Sequence, residues 1–172
     1  NQGVAAGHAP YVALLDSDAR LHPDTLVRLV AALTPGVGLA APVFDDQAPE
    51  ASAGRAPGLT RKVARVLGLT DTYAPGQPGH GGVWEVEFAI GACQVFRRCA
   101  FEAVGGLDES IFYGPEDVDF CLRLGAAGWR SVQVAGAACH HPPRRRNRHL
   151  LSRRGLAHGR EVLRYAARHR RC

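Results

Sequence analysis

Tyr11-Val12-Ala13-Leu14-Leu15-Asp16-Ser17-Asp18 is a short apolar run that ends in two carboxylates one residue apart. The run is too short for a helix and reads as a buried strand. His22-Pro23-Asp24 then opens a helix, with Pro23 in the first turn and Leu26, Leu29, Val30 and Leu33 at helical spacing. Pro35-Gly36 stops it, and Val37 to Val43 reads as a second buried strand. Strand, helix and strand in that order predict a right-handed parallel crossover and an α/β fold. Open α/β sheets place ligands beyond the carboxyl ends of their strands, where Asp16 and Asp18 stand. Two such carboxylates can share a hard cation, Mg2+ or Mn2+, whose shell diphosphate oxygens complete. The plainer alternative is a turn, in which Asp and Ser are common.

A second acidic cluster lies about a hundred residues on. Glu116-Asp117-Val118-Asp119 follows a Gly-Pro turn and opens a helix predicted to run to Ala127, with Val118, Cys121, Leu122 and Leu124 inward and Gly128 as its stop. The helix dipole favours acids in a first turn and accounts for one or two of them. Three of four is more than capping needs, and a carboxylate here can take a proton from an acceptor hydroxyl. His140 and His141 follow a third stretch of strand. Imidazole with two carboxylates is a common metal-ligand set. Alternation along a strand points the two rings to opposite faces, so only one of them could bind, and the sequence leaves open which.

Between these clusters, Asp45 to Gly82 is rich in Gly, Pro and Ala, with a short helix predicted near Thr60 to Leu67. Val83 to Ile90 partly alternates, as a half-exposed strand does, and Cys93 to Phe96 continues extended. Arg98 to Val104 reads as a short helix stopped by Gly105-Gly106. Trp129 to Val134 and Ala137 to Cys139 read as two short strands, and Ser152 to His169 as the last helix.

The 172 residues suffice for one domain with a core, and 46% hydrophobic with 22% charged residues is ordinary for a globular protein. No apolar run approaches the ~18 residues of a membrane span, and no secretory leader is legible. The chain contains no Met, so Asn1 is read as lying inside a longer protein. Five cysteines without a CxxC pair argue against a disulfide framework or a cysteine zinc site and suit reduced, mostly buried thiols. Residues 144–172 hold 11 arginines against Glu161 alone, while residues 1–143 carry 15 acids and 10 basic groups. An acidic body, 1–143, with a basic amphipathic tail, 144–172, points to an anionic partner surface. A membrane surface fits better than nucleic acid, because no aromatic platform accompanies the arginines.

In order and at family-like spacing, several segments resemble family 2 glycosyltransferases of the GT-A fold. Asn1-Gln2-Gly3 is similar to that family's Asn-x-Gly, and Leu15-Asp16-Ser17-Asp18 to its LDSD. Ile90-Gly91-Ala92-Cys93 with Phe96-Arg97-Arg98 resembles "GAC…RR" at the acceptor site. Gly105-Gly106-Leu107-Asp108-Glu109 resembles "GGFDE", with Leu107 where Phe is usual. Gly114 to Leu124, then Gly128-Trp129, closely resembles "EDvDlclRl…Gw". The resemblance covers nearly the whole chain and implies a partial, Rossmann-like GT-A fold with a mixed sheet, its first strands lying outside this sequence. It implies that Asp18 holds the metal and diphosphate, and that Asp16 serves the metal or the donor ribose. It implies that Asp117 is the base of an inverting displacement, with Glu116 orienting it or the acceptor. One of His140 and His141 would complete the metal site. Gly91, Ala92, Asp108 and Glu109 would meet the acceptor.

The implied donor is a nucleotide-diphospho-sugar, the cofactor Mg2+ or Mn2+, and the acceptor a glycan or polyprenyl-diphosphate-sugar. The tail, with Arg144-Arg145-Arg146 and Ser152-Arg153-Arg154, is similar to bacterial rhamnosyltransferases of cell-wall biosynthesis. This makes rhamnose the leading sugar and implies a cytoplasmic enzyme, peripheral at the inner face of the plasma membrane. The QxxRW signature of processive synthases is absent, which favours single-sugar addition. Two rivals stand beside this reading. A non-catalytic sugar- or nucleotide-binding module of the same fold would keep the residues without turnover. An aspartate-based phosphohydrolase wants Thr or Val where Arg20 stands and a downstream lysine, and the only one is Lys62.

Overall fold

In chain order the elements are α1 (Gln2–Ala5), β1 (Tyr11–Leu15), β2 (Arg20–Leu21), α2 (Thr25–Ala32), β3 (Val37–Phe44), β4 (Ala53–Gly54), β5 (Gln77–Pro78), β6 (Val83–Val86), β7 (Phe88–Ala89), β8 (Cys93–Arg97), α3 (Arg98–Ala103), α4 (Glu116–Ala126) and β9 (Arg130–His140). They come from a computed structural model that describes residues 1–45, 52–56, 77–78, 82–111 and 115–142. The predicted helices near Thr60 and from Ser152, and with them the basic tail 144–172, lie outside the described residues.

Seven strands form a mixed sheet in the order β1-β8-β3-β9-β6-β5, with β2 also paired to β9. Among the described strands only β3 and β9 are hydrogen-bonded as a parallel pair; β4 and β7 form a separate ribbon. The predicted crossover from β1 to β3 is present, since both run antiparallel to β8. The strand between them, β8, arrives fifty residues later. β1 is therefore paired on one side within the described sheet rather than buried, and Leu15 is 47% exposed.

Two further expectations change. The stretch from Val83 to Ile90 is two strands in two sheets, parted at Glu87, whose amide donates to the Gly54 carbonyl at 2.9 Å. Conversely, the two short strands after Trp129 are one. Pro42 pairs with Val134 and Val43 with Ala138, so Ala135-Gly136-Ala137 is a bulge within β9.

Helices cover both faces of the sheet. Leu29 of α2 and Leu33, which caps it, pack with Ala40, Phe44, Cys93, Val95, Val132 and Val134. On the opposite face Phe101, Val118, Phe120 and Leu124 pack with Leu39, Ala41 and Phe96. β3 is buried on both faces, which is why its sequence is continuously apolar. Phe96 stacks on Phe101 at 5.2 Å and meets the edge of Phe120 at 5.4 Å. Cys93, Cys99, Cys121 and Cys139 are free thiols, and burial pushes those of Cys93 and Cys121 up to about 12.

The β3–β9 register skips at Gly38, since Val37 pairs with Arg130 and Leu39 with Ser131. A Cβ at Gly38 would stand 2.9 Å from Trp129 Cβ and 3.3 Å from Ala100 Cβ. Neither neighbour can swing aside, because both are the roots of their side chains. Gly38→Ala is expected to lower stability by about 1–3 kcal/mol through overpacking. Urea unfolding checks this, and an unchanged midpoint would show that the α3–β3–β9 junction has slack.

Candidate active site

β1 continues past Leu15 by one hydrogen bond, from the Asp16 amide to the Ala92 carbonyl at 2.9 Å. The chain then turns, with the Ala19 amide donating to the Asp16 carbonyl at 3.0 Å. β2 follows and pairs Arg20 with His140 and Leu21 with Cys139. That pairing brings the Asp16–Asp18 turn beside the end of β9. His141 Nε2 lies 3.5 Å from Asp16 Oδ2 and 3.7 Å from Asp18 Oδ1. One ligand atom from each of the three residues falls within 4.8 Å of the others. Ligands about 2–2.5 Å from a common cation sit roughly this far apart. The His141 ring rests against Phe44, centroids 5.3 Å apart and planes tilted by 49°. The His141 and Asp18 side chains are 15% and 20% exposed and that of Asp16 57%, so the group is anchored on one side and open on the other.

His140 is not part of this group. Alternation along β9 turns it to the other side, where its Nδ1 lies 3.2 Å from Asp45 Oδ1. Asp45 Oδ2 lies 2.7 Å from His22 Nε2. The bond to His22 is the main reason that the Asp45 carboxyl is held below its usual range, with His140 adding to it. This outer cluster ties the end of β3 to the end of β9, helped by hydrogen bonds from the His22 amide and Thr25 Oγ1 to the Ala138 carbonyl. No sequence signal marked His22 or Asp45, because their partners are brought by pairing across the sheet.

Asp117 stands in the first turn of α4. Its Oδ2 accepts from the Gly91 amide at 3.0 Å and its Oδ1 from the Val118 amide at 2.7 Å. Burial, and then the charge of Glu116, push its pKa up to about 6 against the pull of these amides. Glu116 Oε2 is buried without a hydrogen-bond partner. Gly91 and Ala92, expected at the acceptor, act here through their backbone. Gly91 donates to Asp117 and Ala92 accepts from Asp16, so one turn touches both acidic clusters.

Asp108 and Glu109, also expected at the acceptor, make hydrogen bonds near the chain's start and the turn after α3. Asp108 Oδ1 accepts from the Ser110 amide at 2.9 Å, and Glu109 Oε1 from Asn1 Nδ2 at 2.8 Å. They line a cavity of about 420 Å³ with Asn1, Val104 and Arg123. Of the arginine pair, Arg97 donates to the Leu33 and Val37 carbonyls, and Arg98 to those of Val4 and Ala9. Asp119, counted above only as a helix-start acid, is fully buried and pairs with Arg123 Nε at 2.7 Å.

Manganese titration followed by electron paramagnetic resonance tests the three-residue group. His141→Ala is expected to weaken Mn2+ binding on the order of tenfold or more, and His140→Ala less than about twofold. Equal losses would overturn the division between the two histidines.

Residues 11–158 match the model of glycosyl transferase family group 2. The N-acetylglucosaminyl-diphospho-decaprenol L-rhamnosyltransferase of Mycobacterium tuberculosis (strain ATCC 25618 / H37Rv) is 50% identical over 56 residues, 33% of this chain and 18% of that protein. Rhamnosyltransferase WbbL of Escherichia coli (strain K12) is 32% identical over 108 residues, 63% of this chain and 40% of that protein. The chain thus spans less than half of either relative. The structure of mannosyltransferase PcManGT from Pyrobaculum calidifontis, in complex with GDP-Man and Mn2+, superposes with a TM-score of 0.62 at 19% identity, over 98% of this chain and 42% of that one. That likeness is one of fold, and the mixed sheet covered by helices on both faces is that of GT-A transferases. With the family match running through both acidic clusters and the histidine pair, the chain belongs to glycosyl transferase family group 2.

Proposed function

We propose that this chain carries the catalytic residues of an inverting, metal-dependent glycosyltransferase. It would move a sugar, rhamnose first among candidates, from a nucleotide-diphospho-sugar to a lipid-linked or cell-envelope glycan. The observation that carries the reading is the Gly91-Ala92 turn, which holds a half-buried base-like carboxylate on one side and a carboxylate–imidazole group on the other.

Asp16, Asp18 and His141 offer two hard oxygens and one imidazole nitrogen, a set that suits Mg2+ or Mn2+. A divalent cation held there supplies positive charge to the leaving diphosphate. Asp117, with a pKa of about 6, is ionised at neutral pH yet basic enough to take the proton of an attacking hydroxyl. As that O–H bond breaks, the oxygen bonds the anomeric carbon from the face opposite the diphosphate. The carbon–diphosphate bond breaks, its electron pair leaves with the nucleoside diphosphate, and configuration inverts. The Gly91 amide keeps the Asp117 carboxylate aimed, and Glu116 beside it would orient the base or the acceptor.

The names of the relatives support the finer choices. Two are rhamnosyltransferases, one of them acting on a decaprenol-linked sugar. Among the described residues no helix is long and apolar enough to cross a membrane. The +10 stretch from residue 144 would hold the enzyme at the cytoplasmic face by attraction to anionic lipid.

The test is release of nucleoside diphosphate from a panel of nucleotide-diphospho-sugars, with Mn2+ or Mg2+ and polyprenyl-diphosphate acceptors. Asp117→Asn is expected to lower kcat by about a hundredfold to ten-thousandfold with donor affinity unchanged. Full turnover in that variant would sink the base assignment. In the native enzyme the required form is the carboxylate, so kcat falls as pH drops through about 6. An acid limb near pH 4 would mean that the Asp117 carboxyl titrates in the ordinary aspartate range and is not raised by its surroundings.

A further inference from the structure

Asp117 is held at one point by Gly91, and α4, packed into the core through Val118, Phe120 and Leu124, has a second polar anchor on its opposite face. At ~100° per residue, Asp119 stands about 200° round the helix from Asp117, and Arg123 within about 40° of Asp119. Asp119 is fully buried and its Oδ2 accepts from Arg123 Nε at 2.7 Å. Arg123 Nη1 donates to the carbonyls of Val104 and Gly106, each at 2.7 Å. The guanidinium therefore bolts α4 to the turn that ends α3.

That turn is itself held in place. The Gly105 and Gly106 amides donate to the Glu102 and Phe101 carbonyls at 3.0 and 2.9 Å. Gly106 has φ +77°, and a Cβ there would stand 2.7 Å from Asn1 Oδ1 and 2.9 Å from Phe101 Cζ. Asn1 grips the next residue from both sides, accepting from the Leu107 amide at 2.9 Å and donating to the Leu107 carbonyl at 2.8 Å. A rigid turn and a planar, multidentate cation together fix one rotation and one height of the helix.

We propose that Arg123, through its pair with Asp119 and its bonds to the Val104 and Gly106 carbonyls, is the positioning residue that sets the Asp117 carboxylate against the Gly91 amide. The claim rests on the transferase reading for its kinetic consequence, though not for its structural one. Lysine at position 123 keeps the charge opposite Asp119. A single ammonium does not reproduce the planar fork that serves Asp119 and two carbonyls together. The helix then gains freedom to shift, and a misplacement of about 1 Å at a reacting group is worth roughly a hundredfold in rate.

The experiment uses the whole enzyme, with Arg123→Lys and the double variant Asp119→Leu/Arg123→Met. The double variant guards against a folding failure, because apolar residues often replace a buried ion pair without loss of stability. Two readouts are taken on folded protein. Hydrogen exchange at the Gly91 amide is expected to quicken about tenfold or more in both variants. The kcat for transfer is expected to fall about tenfold to a hundredfold, with donor KM and Mn2+ affinity unchanged.

Wild-type Gly91 protection in both variants would overturn the proposal whatever the kinetics show. So would a kcat within about twofold of wild type, or a loss of kcat matched by an equal loss of donor binding, which marks general structural damage. A wild-type enzyme that releases nucleoside diphosphate from no donor would sink the transferase reading, and Gly91 exchange would still decide the positioning claim.

Discussion

A single backbone turn, Ile90 to Ala92, sets the geometry on which both acidic clusters depend. The Ala92 carbonyl accepts from Asp16 and so fixes where β1 stops and its carboxylates begin. The neighbouring Gly91 amide donates to Asp117 and fixes the first turn of α4. Because β8 starts immediately after this turn, in the interior of the sheet, the turn has little freedom to move. Cys93, which follows it, is buried against the α2 side, and Gln94 binds the Ala89 carbonyl from the other. The rigid element is thus the sheet, and the polar groups at its end inherit that rigidity.

The β9 bulge does the corresponding task for the imidazole. Three extra residues between Val134 and Ala138 shift the phase of the strand, so that its last turn of alternation puts His141 on Asp16 and Asp18 and His140 on Asp45. Asp45, His22 and Thr25 then hold that end of β9 from outside. A side chain at the frayed end of a strand would sample many positions; here the residue before His141 is clamped by Asp45, and little of that freedom is left.

The sequence made legible whatever was local. The run into Asp16, the helix after Pro23, the glycine stops at Gly36, Gly106 and Gly128 and the acidic start of α4 all rest on short-range rules. Those three glycines adopt φ values of +81°, +77° and +83°, for which other residues are strained. What stayed hidden was set by distant pairing. The insertion of β8 between β1 and β3 joins residues some fifty-five to eighty-five apart. The bulge in β9 looked like a turn because Ala-Gly-Ala carries no strand signal. The split at Glu87 depends on Gly54, which no local pattern links to it. Asp119 was hidden for a different reason: an acid at a helix start already has an explanation, and burial against Arg123 could not be told from exposure to solvent.

The same pair explains how Asp117 keeps a pKa suited to a base. A cation beside a buried carboxylate lowers its pKa by one to three units, roughly, and would leave Asp117 too weak to accept a proton at neutral pH. The arginine of its own helix, Arg123, is turned about 120° away and is matched there by Asp119. Asp117 meets neutral amides instead, from Gly91 and Val118, which orient the carboxylate without the full stabilisation that a cation brings. Burial and Glu116 then win, and the pKa rises to about 6. Within one helical turn, one aspartate is spent on holding the helix and the other is left basic. Exchanging their surroundings would exchange these properties, so which aspartate is suited to the base role proposed above depends on where α4 sits rather than on the acidic motif itself.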